Sequence, residues 1–545
     1  AGMRADEIGI CLDNCVYGGY KFLYVSPERL GTELFLKKLG ALKVNLVAVD
    51  EAHCISQWGY DFRPSYLRIA EVRSHLPNVP VLAVTATAIP EVAKDIQKQL
   101  KFGEENCFST SFARENLTYV VRNKEDKMGY LLSVLKKNKG AGVVYVRSRR
   151  KAKEIAIELY KHGFPADFYH AGLNPKDREE KQNRWKHGQS VMVCTNAFGM
   201  GIDKTDVRYV IHLDLPESPE AYFQEAGRAG RDGKNAYAVL LYCAADVKRL
   251  QERSESQFPP IPIVKRTYQA LGNYYQIPVG YGKGSVKEFN IADFCEKYKL
   301  QAVETFSCIK LLQQEGYIEL SETMDVRSKV RFVVGREDLY AFQVKNKQFD
   351  GFIKLLLRTY SGIFTDYAKI DEETMAAKAG VAPEMVSKFL KSLHKVNVIN
   401  YFPASRYPML VFTTERLADA SLIISHSRYN EGKNRHKKRT DAMIAYATEI
   451  TKCRSQFLLS YFGQNDSVRC GTCDICQSRN DLELSKLEFD NALSSIKERS
   501  AKPVLLELLA DNGPLVPEKM LKVVEWLLDH RKILQLPGGM LQWHE

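Results

Sequence analysis

Val44-Asn45-Leu46-Val47-Ala48-Val49 runs directly into Asp50-Glu51-Ala52-His53. A short, mostly apolar run that ends in two carboxylates reads as a central strand. It delivers the acids to the C-terminal edge of a parallel sheet, where open α/β folds bind their ligands. At such an edge Asp50 is placed to hold a magnesium ion that bridges nucleotide phosphates. Glu51 can orient or deprotonate an attacking water. Asp-Glu after an apolar run is common, so the surrounding sequence has to make the reading specific.

That context is Cys54-Ile55-Ser56-Gln57-Trp58-Gly59-Tyr60-Asp61-Phe62-Arg63-Pro64, an aromatic-rich stretch directly after the acids. Further on come Val81-Leu82-Ala83-Val84-Thr85-Ala86-Thr87-Ala88 and Val144-Tyr145-Val146-Arg147-Ser148-Arg149. Tyr169-His170-Ala171-Gly172 and Thr195-Asn196-Ala197-Phe198-Gly199-Met200-Gly201-Ile202-Asp203-Lys204 follow. The series closes with Gln224-Glu225-Ala226-Gly227-Arg228-Ala229-Gly230-Arg231-Asp232-Gly233. In this order the motifs resemble the RecQ family of DNA helicases, over roughly the first half of the chain and again at a cysteine cluster near the end.

The resemblance implies two RecA-like, doubly wound parallel-sheet lobes, ATP and magnesium as cofactors, and single-stranded and duplex DNA as partners. It also implies a phosphate loop, G-x-x-x-x-G-K-[ST], upstream of the acids. No such segment occurs in the 545 residues, which open at Ala1-Gly2-Met3-Arg4. The family's adenine-reading glutamine motif is absent too. The expectation is therefore an incomplete sequence, with the first lobe entered partway.

Composition fits an ordinary globular protein, with 45% hydrophobic and 26% charged residues. The net charge of +12 favours polyanionic partners. No apolar run is long enough to span a bilayer. Eight of the twelve cysteines are scattered singly, as expected in a reducing compartment such as the bacterial cytoplasm or nucleoid. Nothing in the sequence fixes an oligomeric state, and a monomer is compatible with it.

Strand and helix patterns divide the chain into residues 1–110 (first lobe), 111–246 (second lobe), 247–435 (a helical, winged-helix-like insertion), 436–484 (a zinc module) and 485–545 (a last winged-helix-like unit). In the first lobe Tyr20–Val25, Val44–Val49 and Val79–Val84 read as strands. In the insertion, helix-turn-helix patterns are each followed by two strands. Tyr317–Leu320 is expected to pair with Val330–Val333, and Val398–Tyr401 with Met409–Thr413. Such winged helices bind DNA or serve as protein-contact spacers, and both readings stay open.

The resemblance assigns roles residue by residue. Asp50 takes the magnesium, Glu51 the water, and His53 links the nucleotide site to neighbouring motifs. Gln224 positions water or relays closure. Arg231 is the arginine-finger candidate, and Arg228 contacts a phosphate or Glu51. Gly201 and Asp203 join Asp50, Arg228 and Arg231 as nucleotide-facing residues. Trp58 and Phe62 offer stacking faces to unpaired bases or pack against the lobe as core, and Arg63 meets phosphate. Arg147 and Thr195 complete the expected DNA contacts.

Cys453, Cys470, Cys473 and Cys476 supply four thiolates, two of the spacings being C-x-x-C. Tetrahedral zinc suits this set, and an iron-sulfur cluster also uses four cysteines. A helix over 440–461 is expected to carry Cys453 on its inner face. The basic run Lys433, Arg435, His436, Lys437, Lys438 and Arg439 opens that helix, as a solvated face or a phosphate contact. Two rivals to the DNA helicase stand beside it: an RNA-directed helicase, and a non-hydrolysing DNA-binding protein.

Overall fold

The structure is a computed structural model. It describes residues 5–56, 63–188, 190–199, 202–320, 328–360, 362–364, 367–403, 407–480, 484–529, 532–536 and 539–544. Two compact units result, residues 1–254 with 431–545, and residues 255–430.

In the first unit, strands Val47–Val49 and Val81–Ala83 pair in parallel, Val49 beside Ala83. One face packs on helices through Val49, Ala52, Ile55, Ile69, Val92 and Ile96. The other face is uncovered by any described element, and Leu46 and Leu82 are half exposed. The expected buried central strand is thus short and covered on one side. Tyr20–Val25 forms no strand at all, and Phe22 and Tyr24 stand in solvent. Its backbone has no described strand alongside to complete a ladder.

Residues 117–242 form a six-stranded parallel sheet. Its spatial order is Leu117–Asn123, Ala236–Tyr242, Val207–His212, Ala141–Tyr145, Val191–Cys194, Ala166–Tyr169. Ala141–Tyr145 and Val191–Cys194 are buried at every position, whereas the edge strand Leu117–Asn123 alternates. That is the pattern of a sheet covered on both faces. Gly142 has a packing reason: a Cβ there would lie 1.8 Å from the Tyr209 ring.

The zinc-module helices belong to this same core. Met443, Tyr446, Ala447 and Leu458 pack with Tyr119, Tyr222 and Ala226. The expected single helix over 440–461 is two, His426–Thr448 and Arg454–Tyr461. Glu449 makes the break, its Oε1 accepting the amides of Ile450, Thr451 and Lys452 at 2.8, 2.6 and 3.1 Å. Cys453 caps the second helix and does not ride on an inner face.

After the cysteines comes a small winged helix. The helices are Lys486–Arg499, Leu506–Asp511 and Pro517–Asp529, and the sheet order is Val504–Leu505, Met540–Trp543, Ile533–Gln535. Residues 504–505 form its first strand.

The second unit corrects the expected hairpins. Ile318–Leu320 pairs with Met409–Phe412, and Lys329–Phe332 pairs with Ile399–Phe402. The two winged helices are therefore nested and not consecutive. The inner one, with helices Lys347–Thr359, Glu372–Ala379 and Pro383–Lys395, lies in the loop between two strands of the outer one. Each core closes on its own strands: Ile318, Leu410 and Phe412 in the outer, Val330, Phe332, Ile399 and Tyr401 in the inner.

Candidate nucleotide, zinc and DNA sites

The acids stand where the two short strands end. Val84 N donates to Val49 O and Ala52 N donates to Val84 O, both at 2.9 Å. Glu51 adopts a left-handed backbone, φ 49°, uncommon for a side chain other than glycine. That bend starts the turn Ala52–Ile55 and separates the directions of the two carboxylates. Asp50 is exposed, and its Oδ1 accepts the Glu51 amide at 2.8 Å. His53 is buried, its Nδ1 2.9 Å from Thr85 Oγ1 and 3.4 Å from Glu51 Oε2. The imidazole thus ties Glu51 to the Val81–Ala88 segment. Tyr66 OH donates to Asp50 O at 3.4 Å. Burial, then Cys54 and the two acids, push that phenol up to about 12 against the pull of Arg63.

Of the expected DNA contacts beside the acids, Trp58 and Phe62 lie outside the described residues, as does Gly201. Arg63 opens the turn Pro64–Leu67, and its amide donates to Cys54 O at 2.9 Å.

In the second lobe the two motif arginines take different places. Arg228 is buried, beside Tyr145, Cys194 and Glu225. Its Nε has no hydrogen-bond partner. Glu225 Oε2 lies 2.8 Å from His212 Nε2, and His212 stacks on Tyr145 at 5.1 Å. Tyr145 OH donates to Phe198 O at 2.8 Å. Arg228 therefore sits in a group that braces the strand ends. Arg231 lies nearer the surface and donates to Asp203 Oδ1 at 2.8 Å and Ile202 O at 3.2 Å. Gln224 is half-buried on the helix Pro219–Ala226. Each arginine is held by its own lobe.

Arg147 is also held internally. Its Nε donates to Leu215 O, and its Nη1 to Glu217 Oε1, both at 3.0 Å. Burial opposes the charge on Glu217, yet Arg147, Arg253 and His436 hold its carboxyl below the ordinary range. Thr195 is buried after its strand, accepting the Ala197 amide on Oγ1 at 3.4 Å.

The four cysteines meet as their spacing predicts. All four sulfurs lie within 4.8 Å of one another, Cys453 Sγ and Cys470 Sγ at 3.5 Å. A single tetrahedral ion with Zn–S bonds of about 2.3 Å needs sulfurs about 3.8 Å apart. The amides of Cys470, Cys473 and Cys476 donate to preceding sulfurs at 3.3, 3.3 and 3.4 Å, which stabilises thiolates. These residues fit one zinc ion, and the close spacing disfavours a larger iron-sulfur cluster.

Sequence reasoning missed what fastens this module to the lobe. Glu220, buried on the Pro219–Ala226 helix, accepts from Tyr461 OH at 2.8 Å and faces Arg439 Nε at 3.4 Å. His436 lies beside Glu217, Arg253 and Arg439. Arg435 pairs with Glu431 and Lys437 with Asp441. Arg439 and His436 therefore serve the lobe contact, whereas Lys433, Lys437 and Lys438 stand exposed. The run's composition gave a signal only for charge, because the partner acids lie about two hundred residues earlier in the chain.

Four family models fall on the chain. They are the DEAD/DEAH box helicase at 7–96, the helicase conserved C-terminal domain at 123–233, the RecQ helicase winged-helix domain of Bacteroidota at 330–403 and RecQ zinc-binding at 413–477. The winged-helix match coincides with the nested inner module. Among curated relatives, ATP-dependent DNA helicase RecQ of Bacillus subtilis is 46% identical over 257 residues, 46% of this chain and 44% of that protein. The probable ATP-dependent DNA helicase RecS of the same organism is 45% identical over 239 residues, 43% and 48%. RecQ-like DNA helicase BLM of Xenopus laevis is 39% identical over 337 residues, 57% and 24%. The chain spans less than half the length of each of these three relatives. With motor-lobe, winged-helix and zinc-binding models in place around this geometry, the chain belongs to the RecQ family of helicases.

Proposed function

We propose that these residues belong to an ATP-driven DNA helicase that moves 3′ to 5′ along single-stranded DNA, unwinds duplex and serves repair or recombination. The observation that carries this reading is the four-sulfur site, whose preceding helices pack through Met443, Tyr446 and Leu458 into the core of the second motor lobe. An RNA-directed helicase of the same lobes has no need of it. Two RecQ relatives are named as DNA helicases, which supports DNA as the substrate.

ATP with magnesium, when bound, supplies the transferable phosphoryl group. Asp50, which is exposed, would hold the ion, and Glu51, beside His53, would orient the attacking water. Arg231 is the finger candidate: leaving Asp203, it can meet charge that develops on the phosphoryl oxygens. Arg228 keeps the strand ends in register for it. Gln224, Gly201 and Asp203 belong to the same nucleotide-facing set. Trp58, Phe62, Arg63 and Thr195 are proposed to follow the strand, with Arg147 shaping that path through Glu217. Twelve unpaired cysteines suit the bacterial cytoplasm as the place of action.

The 545 residues contain no G-x-x-x-x-G-K-[ST] segment, the main cradle for the phosphates. Expressed alone, they are expected to bind single-stranded DNA with strong salt sensitivity and to hydrolyse ATP weakly or not at all. The salt effect comes from counterions released at phosphate contacts. The test is ATPase with and without DNA, alongside binding at two salt concentrations. Robust hydrolysis that vanishes in Asp50→Asn would contradict the assignment of that cradle.

A further inference from the structure

The nested winged helix sets two lysines against each other. Its sheet turns Val330, Phe332, Ile399 and Tyr401 toward the helices, where they pack with Leu390 and Leu393. Side chains alternate along a strand, so the residues between them stand on the opposite, outer face. There the register puts Lys329 between Lys369 and Phe402, with Arg331 opposite Asn400 on the same face. Like charges directly opposite in an antiparallel pair destabilise a sheet. No ion pair relieves Lys329, Lys369 or Arg331 among the described residues. Arg331 Nε is buried without a hydrogen-bond partner.

Aromatic rings lie among these charges. The Arg331 guanidinium sits over the Tyr367 ring at 5.0 Å. Tyr367 meets Phe402 edge-on at 5.4 Å, and its hydroxyl accepts from Asn400 Nδ2 at 3.2 Å. Phe402 keeps 39% of its surface exposed. A cation row beside a braced, accessible ring is the combination that tracks a nucleic-acid backbone while stacking on bases.

We propose that this outer sheet face binds single-stranded DNA. Lys329, Lys369 and Arg331 meet successive phosphates, and Phe402, held by Tyr367, stacks on an unpaired base. A single strand is favoured over duplex because stacking needs a free base face. The site is separate from the helical side of the module, where the Pro383–Lys395 helix takes the place of a recognition helix. The proposal rests on the DNA-directed reading above for its choice of nucleic acid.

The test uses the full 545-residue chain, fluorescent oligothymidylate and anisotropy at low and moderate salt. Lys369→Glu should weaken binding roughly tenfold and flatten its salt dependence. The same change turns a like-charged pair into an opposite one, so the melting temperature should hold or rise. Phe402→Ala should weaken binding about fivefold on oligothymidylate but not on an abasic strand of equal length. If Lys369→Glu instead lowers the melting temperature, the Phe402→Ala contrast decides. Wild-type binding that both variants leave intact overturns this site alone. A wild-type chain that binds no single-stranded DNA overturns the DNA-directed reading itself.

Discussion

Arg454 and Asp474, each one residue past a cysteine of the four-sulfur site, meet through two hydrogen bonds of 3.1 Å. Arg122, on the edge strand of the second lobe, reaches the same carboxylate at 3.4 Å. The metal loop and the motor sheet are thus joined by a shared charge as well as by packing. Asp474→Asn leaves the Arg454 guanidinium buried without its counter-charge, at a cost of roughly 3–5 kcal/mol. Arg122→Ala removes a half-exposed partner and should cost less than about 1 kcal/mol. Denaturant melts of the two variants check this ordering, and equal losses would contradict it.

The sulfur site itself should couple metal to folding. Backbone amides donate to the sulfurs of Cys453, Cys470 and Cys473, which favours the thiolates that a metal binds. Purified wild-type chain should carry about one zinc ion, and Cys473→Ser should lose it together with stability. Elemental analysis reads the first effect and thermal melting the second. Iron in the wild type, or no metal, would contradict the zinc assignment.

Acidification should loosen the contact between the zinc-module helix and the lobe. Burial, with Arg439 and Arg253, holds His436 below its ordinary 6.5, although Glu217 pulls the other way. The unfolded chain therefore binds more protons just below that value. Stability from this group is full above about 6.5 and falls as pH drops toward the folded value. Glu217, itself held low, adds its loss only below its ordinary 4.5. Melting temperatures at about pH 7.5 and about pH 5.5 should differ more in wild type than in His436→Asn. Identical differences would assign the acid sensitivity elsewhere.

The second motor lobe was the more legible one, because several of its motifs follow buried strands and a fully apolar run such as Val191–Cys194 has few alternatives. The cysteine site was legible for a similar reason, since two C-x-x-C spacings leave little freedom. Strand pairing in the insertion was not. Ile318–Leu320 and Lys329–Phe332 each alternate in a way that satisfies a hairpin or a nested pairing equally well. Only the two separate cores distinguish them. The Glu449 break was hidden because a lone acid inside a helix-like sequence looks like an ordinary surface residue. Glu220 and Arg439 meet across more than two hundred positions, and no local pattern announces such a pair.

The most direct test of the central claim is unwinding by a polypeptide that carries a G-x-x-x-x-G-K-[ST] segment ahead of these residues. The substrates are a DNA duplex with a 3′ single-stranded tail, one with a 5′ tail, and an RNA duplex. The account predicts ATP-dependent unwinding of the 3′-tailed DNA, little of the other two, and loss of activity in Glu51→Gln. Preferential unwinding of the RNA duplex, or activity undiminished in Glu51→Gln, would contradict it.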